Sequence, residues 1–585
     1  MKKILLGLSL LSGLCLGSCD SLIDNPPLDK IGNGEFWKSE TDLEKYMLTF
    51  YTVFPTFTNN NGGVFIGPLG ADAVNGSDDQ IRTTPNSRMD GADPVVTTGG
   101  NWNWGNIRSI LFFFDNYQSC TAPFERYKHF LGEAYFFKAY LYFNMVKAYG
   151  DVPWFESTLE MNSPELYKPR DPQTLVVDNI LDCLDKAIEY LTPLSESNYG
   201  KSQRLSKETA LIFKSRVALY EGTWQKYHKG TDFATEDADP NKYFRAAVDA
   251  AEELMSGKYS VSIYNTGDPV NDYSNTFNRV DFFPVEEVTL WAGYDKKLLT
   301  HHATPYLCGY STNEVNITYE LVSSYLDKNG NVYDYDAVAK ELKGNDFLKN
   351  IAENCDPRLK QTVWTPGDLC WSNASFGTFY FDKPKLDQTG EFLSCTGFQL
   401  KKGNNPYNAT AGGTFNELHD QGCVVFRYAE ALLNYAEAKC ELGEKVDYDR
   451  SINLLRRRAG MPDFKIPANL NSMKKLDYGY SISDELYEIR RERRIELACE
   501  GFRHDDYRRW RAHKLFQGKR LHGYPVKIDE WTNSISTTIN EEGFLDPHAG
   551  ALPSGFRFNE GRDYLQCIPT NEITLNPALT QNPGW

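Results

Sequence analysis

Apolar side chains recur at helical spacing in two long parts of this chain and lose that spacing between them. In the first part the pattern predicts helices from Ser39 to Tyr51 and over Ile107–Ser119, Glu133–Tyr149, Thr174–Leu191, Ser206–Tyr220 and Asn241–Ser256. In the last part it predicts Val425–Leu442, Asp449–Ala459 and Asp484–Glu500. Glu133–Tyr149 is aromatic on nearly every face, so it must be packed on all sides, and Gly150 with Pro153 supplies its stop. Between about Val261 and Cys423, Tyr, Trp, Asn and Gly punctuate short extended runs, with one short helix at Tyr319–Leu326. Pro55–Gly105 is a second polar tract, of a length that is usually functional or disordered.

The reading is a mostly α-helical fold. Helix lengths and short connections predict stacked pairs of the tetratricopeptide kind, forming a superhelical scaffold, although the repeat itself is degenerate. A loop-rich face with short strands sits on that scaffold.

Tyr487–Trp510 holds the densest charge. Ile495, Ala498, Cys499 and Phe502 share one helical face, while Glu488, Glu492, Glu496 and Glu500 form a row of like charges at i+4 steps. Arg491 can reach Glu488 and Arg493 can reach Glu496, but Arg490 and Arg494 face each other. These charges need partners elsewhere in the fold, and the cation-rich helix carrying Arg456, Arg457 and Arg458 can supply some. His504 beside Asp505 and Asp506 looks catalytic in isolation; pairing of the acids with Arg503, Arg508 or Arg509 is the simpler reading.

The first residues bear on compartment. Lys2 and Lys3 precede an apolar run from Ile4 to Leu16, shaped like a secretory leader and too short to remain as a membrane span. Leu16-Gly17-Ser18-Cys19 resembles the lipobox of bacterial lipoproteins, which predicts cleavage before Cys19 and acylation of that cysteine. Removing the leader takes two of the 62 basic residues and none of the 79 acidic ones, so the net charge moves from −17 to −19. Such a surface excludes nucleic acid as a natural partner. Ten cysteines follow Cys19 and none forms a CxxC pair, so a zinc site is not expected; export would permit a disulfide, with Cys355, Cys370 and Cys395 the favoured positions.

Catalytic chemistry is hard to find. No GxSxG elbow, HExxH helix or phosphate-binding loop is present, and no cofactor is expected. Asp327–Asn331 departs from a calcium loop in its glycine position and reads as a turn. His301-His302 reads as a surface pair. Binding needs less: sugars stack their C–H faces on aromatic rings and exchange hydrogen bonds with Asp, Asn and Arg. The chain has 35 Tyr and 11 Trp, and both loop tracts supply the right types. Candidates in the first are Asp72, Asp78, Asp79, Arg82 and Trp102; in the second, Trp291, Tyr306, Tyr310, Asn313, Trp364 and Trp371. Trp104 reads as structural because it adjoins the helix of Ile107 and Ile110.

Several segments together carry a family resemblance. They are Glu133–Pro153, Asp356-Pro-Arg-Leu359, Phe426–Leu442, Ile452–Pro462, Ile489–Trp510, and the ending Ile568-Pro-x-x-Glu572 to Gln581-Asn-Pro-Gly-Trp585. In this order, behind a lipobox, the chain resembles the SusD/RagB family of outer-membrane nutrient-binding lipoproteins. The resemblance implies four tetratricopeptide-like helix pairs and a SusC-like TonB-dependent barrel as partner. It implies capture of an oligosaccharide outside the cell without bond cleavage, or of a peptide in RagB-like members; an exported glycoside hydrolase is the alternative from another class. The implied organisation is a leader at 1–18, a lipidated tether at 19–35, a helical region at 36–260, and a C-terminal region at 261–585 with its loop-rich insert at 261–423. The loops carry no family motif, so ligand residues do not transfer by position.

Overall fold

The computed structural model describes residues 36–57, 67–196, 202–295, 298, 315–373, 377–407, 419–472 and 475–585. The leader, the tether with Cys19, the pair His301-His302, and the candidates Tyr306, Tyr310 and Asn313 lie outside the described residues.

The helical scaffold begins with α1 (Glu40–Leu48), whose N-terminus is held by Ser39 and Asp42 in a reciprocal capping box. It continues through α2 (Gly105–Asn116), α3 (Phe124–Tyr149), α4 (Gln173–Tyr190), α5 (Lys207–Tyr227) and α6 (Pro240–Leu254). Consecutive members from α2 to α6 pack on one another. Helix α3 starts nine residues before the aromatic tract and buries it: Phe130, Phe136, Phe137, Tyr142 and Phe143 are all in the core. It ends where Gly150 takes φ +69°, a conformation that favours glycine. At Gly222 of α5 a Cβ would stand 2.7 Å from the Phe244 ring, so its lack of a side chain sets how closely α6 approaches.

The middle of the chain is more helical than its spacing predicts. Tyr335–Glu341, α7 (Gly344–Asn354) and α8 (Pro357–Thr362) occupy what reads as loop. Two of these span seven and six residues, under two turns, and so show little periodicity, but Asp334 and Asp356 cap them. Strands are short. β1 (Gln80–Ile81), β3 (Asn316–Ile317) and β6 (Phe398–Gln399) form an antiparallel three-stranded sheet in the order β1-β3-β6. β2 (Val288–Ala292) pairs with β7 (Cys423–Arg427), and β4 (Leu369–Asn373) with β5 (Gly377–Tyr380). β7 runs straight into α9 (Tyr428–Glu441), so the predicted helix from Val425 is a strand at its start; Val424, Val425 and Phe426 suit that pairing.

The chain then adds α10 (Ile452–Arg458), α11 (Asp484–Glu496) and α12 (Arg503–Arg509). Here the structure corrects the continuous helix expected to Glu500. Helix α11 stops at Glu496, Cys499 and Gly501 take φ +60° and +80°, and Asp72 accepts the backbone N–H groups of Gly501 (3.1 Å) and His504 (3.2 Å). The break lets one stretch serve two cores. Ile489, Leu497, Tyr507 and Trp510 join the large core of the helical stack, whereas Ile495, Ala498 and Cys499 join a second core with Phe347, Leu359 and Trp364.

Its charges turn inward. Glu496 is fully buried and meets Arg358 (3.0 Å), Arg427 (2.8 Å) and Arg458 (2.5 Å). Glu492 meets Arg358 (2.6 Å) and Arg456 (3.2 Å), and Glu500 meets Arg427 (2.6 Å) and Lys402 (2.7 Å). The expected help from the Arg456–Arg458 helix is therefore present, except that Arg457 faces outward to Asp449 and Asp463. Arg491 does pair with Glu488, at 3.4 Å, but Arg493 turns to Asp506, at 2.9 Å. Arg490 reaches Glu441 and Arg494 reaches Asp78 and Asp79. Burial would raise the Glu496 carboxyl, but Arg458, Arg427 and Arg358 outweigh it and hold it far below the usual carboxylate range.

Candidate ligand-binding site

The candidate residues of the first loop tract converge, but inside the body. Asp72, Asp78 and Asp79 are all buried. Arg503 donates to both Asp78 carboxylate oxygens (2.7 and 2.8 Å), while Arg494 donates to Asp79 (2.7 Å) and Asp78 (3.0 Å). These carboxylates stitch the 67–81 segment to α11 and α12. Burial and the neighbouring Asp79 raise Asp72 to about 8, against the two backbone N–H groups that it accepts. Arg82 is half-buried, and its carbonyl faces the His548 ring nitrogen at 2.9 Å. Trp102 lies elsewhere: edge-on to Tyr149 and Trp104, it forms one wall of an apolar pocket of about 420 Å³ with Phe155, Tyr167 and Leu575.

His504 and its acids are also internal. The His504 ring is held at about 3 by burial and by Arg508, Asp505 pairs with Lys147 at 2.7 Å, and Asp506 with Arg493 and Arg509. An uncharged, buried imidazole and ion-paired carboxylates are poorly placed to trade protons with a substrate. Asp327 accepts the N–H groups of Asn329 (2.9 Å) and Asn331 (2.8 Å), which makes the 327–331 segment a turn. The nine cysteines among the described residues are free thiols, Cys355, Cys370 and Cys395 included. Among the described residues no group of three or more His, Cys, Asp and Glu is placed to hold a metal ion.

The candidates of the second tract are dispersed. Trp291 on β2 is buried against Phe282 and Phe283. Trp364 borders a groove, yet its ring is fully buried between Phe381, stacked at 6.1 Å, and Lys401, whose Nζ lies 5.5 Å from the ring centre. Trp371 is half-buried on β4, stacked on Phe379 at 4.3 Å across the hairpin.

That groove, about 710 Å³ in volume, is where ligand chemistry gathers at the surface. Amides line it: Asn271, Asn275, Asn278, Gln361, Asn404 and Asn405. Three come from 271–278, where Asp272–Asn275 forms a single helical turn flanked by Asn271 and followed by a bend at Asn278, and all three asparagines face the groove. Gln361 on α8 braces that turn, accepting the Ser274 N–H (2.9 Å) and donating to the Pro269 carbonyl (3.1 Å). Arg279 is held by the Asn275 carbonyl and packs its guanidinium over the Tyr264 ring. Lys401 pairs with Asp368 at 3.0 Å. On the far wall Asn404 donates to the Cys370 carbonyl (3.0 Å), and Ser372 N–H donates to the Pro406 carbonyl (2.8 Å), which sets the β4–β5 hairpin beside the groove. Tyr407 closes this wall, 71% exposed, with Tyr380 of the hairpin 56% exposed.

The groove thus offers carbonyl acceptors, amide donors and an exposed ring, on anchored backbone. Aromatic content alone did not find it. The amides are its main lining, and the spacing of Asn271, Asn275 and Asn278 was the available signal.

Comparison with known proteins fits this architecture. A family model described as the SusD family matches residues 270–585, and one described as starch-binding associating with outer membrane matches residues 101–219. SusD-like protein P38 of Formosa agariphila is 24% identical over 501 residues, covering 83% of this chain and 87% of the relative. A SusD-like protein from Bacteroides fragilis superposes with a TM-score of 0.71 at 22% identity, covering 96% of this chain and all of the other. A SusD-like carbohydrate-binding protein from the same species gives 0.69 at 21%, covering 93% and all. With a match over more than half its length, which includes every residue of the groove, this chain belongs to the SusD family.

Proposed function

We propose that this protein captures an oligosaccharide or polysaccharide at the cell surface and passes it, uncleaved, to a SusC-like TonB-dependent transporter in the outer membrane. The observation that carries the binding step is the groove. Asparagines along the groove, Asn275 and Asn278 foremost, and an exposed tyrosine provide donors and acceptors with one apolar face, the combination that a sugar's hydroxyls and C–H surfaces require. Similarity to a protein described as carbohydrate-binding supports the same ligand class. The match of residues 101–219 to a family model described as starch-binding associating with outer membrane supports the location. Acylation at Cys19, with 20–35 as a tether, would anchor the body there; docking on the barrel and release into it complete the reading.

In this scheme the groove works by affinity alone. Asn278 and Tyr407 are the proposed contacts, Trp371 supports the hairpin beside them, and Trp364 forms the floor. A soluble preparation of the chain, screened against glycans and peptides with the recovered ligand analysed for cleavage, tests it. Retention of an intact glycan is expected. A shortened glycan would make the protein a hydrolase, and binding of peptides alone would replace the ligand class. Recovery of the native lipoprotein without a barrel partner would overturn the delivery step.

A further inference from the structure

A second cavity lies far from the groove in kind. It occupies the seam where α3, α5, β7, α9 and the α11–α12 turn meet the 53–57 and 67–75 segments, and holds about 610 Å³. That volume lies within the range of small-molecule sites, about 300–1,000 Å³. No wall of it belongs to the groove's loops, apart from Phe277 at its edge.

Three features define what it could accept. First, Asn144 of α3 lines it and is the one exposed residue from 129 to 149, although Phe143 and Met145 on either side are buried. This asparagine, in the last two turns of a largely buried helix, is exposed where the cavity lies. Second, the charges around the cavity are already matched. Arg216 grips Glu430 with two bonds of 2.6 Å, Lys147 holds Asp505 at 2.7 Å, Arg427 holds Glu500, and Arg493 and Arg509 share Asp506. An ionic guest would find no counter-charge. Third, the remaining lining mixes Asn75 and Asn101 with the aromatic surfaces of Phe54, Phe143 and Phe502. In the wall, Tyr220 carries a buried hydroxyl with no hydrogen-bond partner among the described residues.

We propose that this seam cavity is a separate site for a small neutral sugar, a mono- or disaccharide. Such a molecule is uncharged, rich in hydroxyls that amides and the partly exposed edges of Arg216, Lys147 and Asp505 can bond, and apolar on its ring faces. The cavity's volume suits a mono- or disaccharide, lodged where the 53–57 and 67–75 segments meet α3 and α5. Because the lining comes from both cores, occupancy ties them together and raises the unfolding temperature with the logarithm of ligand concentration above its Kd. The assignment stands apart from the groove reading, since it rests on different residues.

The test titrates the whole chain calorimetrically with glucose, galactose, xylose and their β-linked disaccharides, beside matched thermal unfolding. At least one is expected to bind one-to-one and to raise the unfolding temperature. Asn144→Trp, which fills the cavity, should weaken that event at least tenfold, and Asn144→Ala, the gentler change at an exposed position, about fivefold, the worth of a hydrogen bond. Tyr407→Ala, in the groove, should leave it unchanged. If none of these sugars binds, or if binding survives Asn144→Trp within error, the seam cavity is not a sugar site.

Discussion

Glu496 shows how much a single buried carboxylate can carry. Three guanidiniums converge on it, and two of them, Arg427 and Arg458, also share Glu287. Truncation leaves cations facing one another in a dry interior, so Glu496→Ala should destabilise the protein by about 3–5 kcal/mol while leaving the affinity of the folded groove intact. Denaturant unfolding with parallel glycan titration measures both; an unchanged midpoint would show that the remaining acids suffice. Asp72 behaves in the opposite sense. Its folded value of about 8 lies above that of an unfolded aspartate, so folding keeps it protonated and the penalty grows as pH rises from about 4 towards 8. Asp72→Asn removes the ionisation and keeps one oxygen to accept from Gly501 or His504, though not from both. Its unfolding temperature should gain on that of the unmodified chain between about pH 5 and pH 8; a constant difference across that range would contradict the assignment.

At the scale of elements, close approach matters more than propensity. Gly222 lies against the buried Phe244 ring with no room for a methyl group, so Gly222→Ala should force α5 and α6 apart and cost about 1–3 kcal/mol, despite alanine's better helix propensity. A stabilised variant would mean that Phe244 can turn aside. The long helices were legible because each carries many turns of one pattern and a recognisable cap or stop, as at Ser206 of α5 and Gly150 after α3. What escaped was set by tertiary structure. Helix α11 ends at Glu496 because Asp72, more than 400 residues away, caps the turn that follows. Val425 and Phe426 could extend either a helix or a strand, and pairing with β2 decides for the strand. Likewise Asp78 and Asp79 suit a sugar as well as they suit Arg494 and Arg503; only their burial separates the two uses.

Over the whole molecule, acids and arginines form the joint between two hydrophobic cores, and the surface groove is built on the second. Burial raises Glu437, but Arg509, Arg493 and Arg490 outweigh it and hold it at about 2. Within the helical stack, the His129 hydrogen bond and Arg204 outweigh burial in the same way and hold Glu133 at about 2. Their contribution is present above the unfolded carboxylate range and is lost as pH falls from about 4 through about 2. Unfolding temperature should therefore drop steeply on that acid limb, and an acid limb that is flat there would argue against the network as the main joint. The sequence-level resemblance to the SusD family located the scaffold and this joint. It implied a loop-rich insert at 261–423, within which the groove falls, but did not single out the asparagines or Tyr407, because residues on a short turn and in a polar loop leave no periodic trace. The central claim, that this groove binds a glycan, is tested most directly by titrating the chain and its Asn278→Ala/Tyr407→Ala variant with a panel of oligosaccharides. At least one should bind intact to the unmodified chain, and the double change should weaken it about tenfold or more without altering the unfolding temperature. Equal affinity in the two proteins, or no oligosaccharide bound by either, would contradict it.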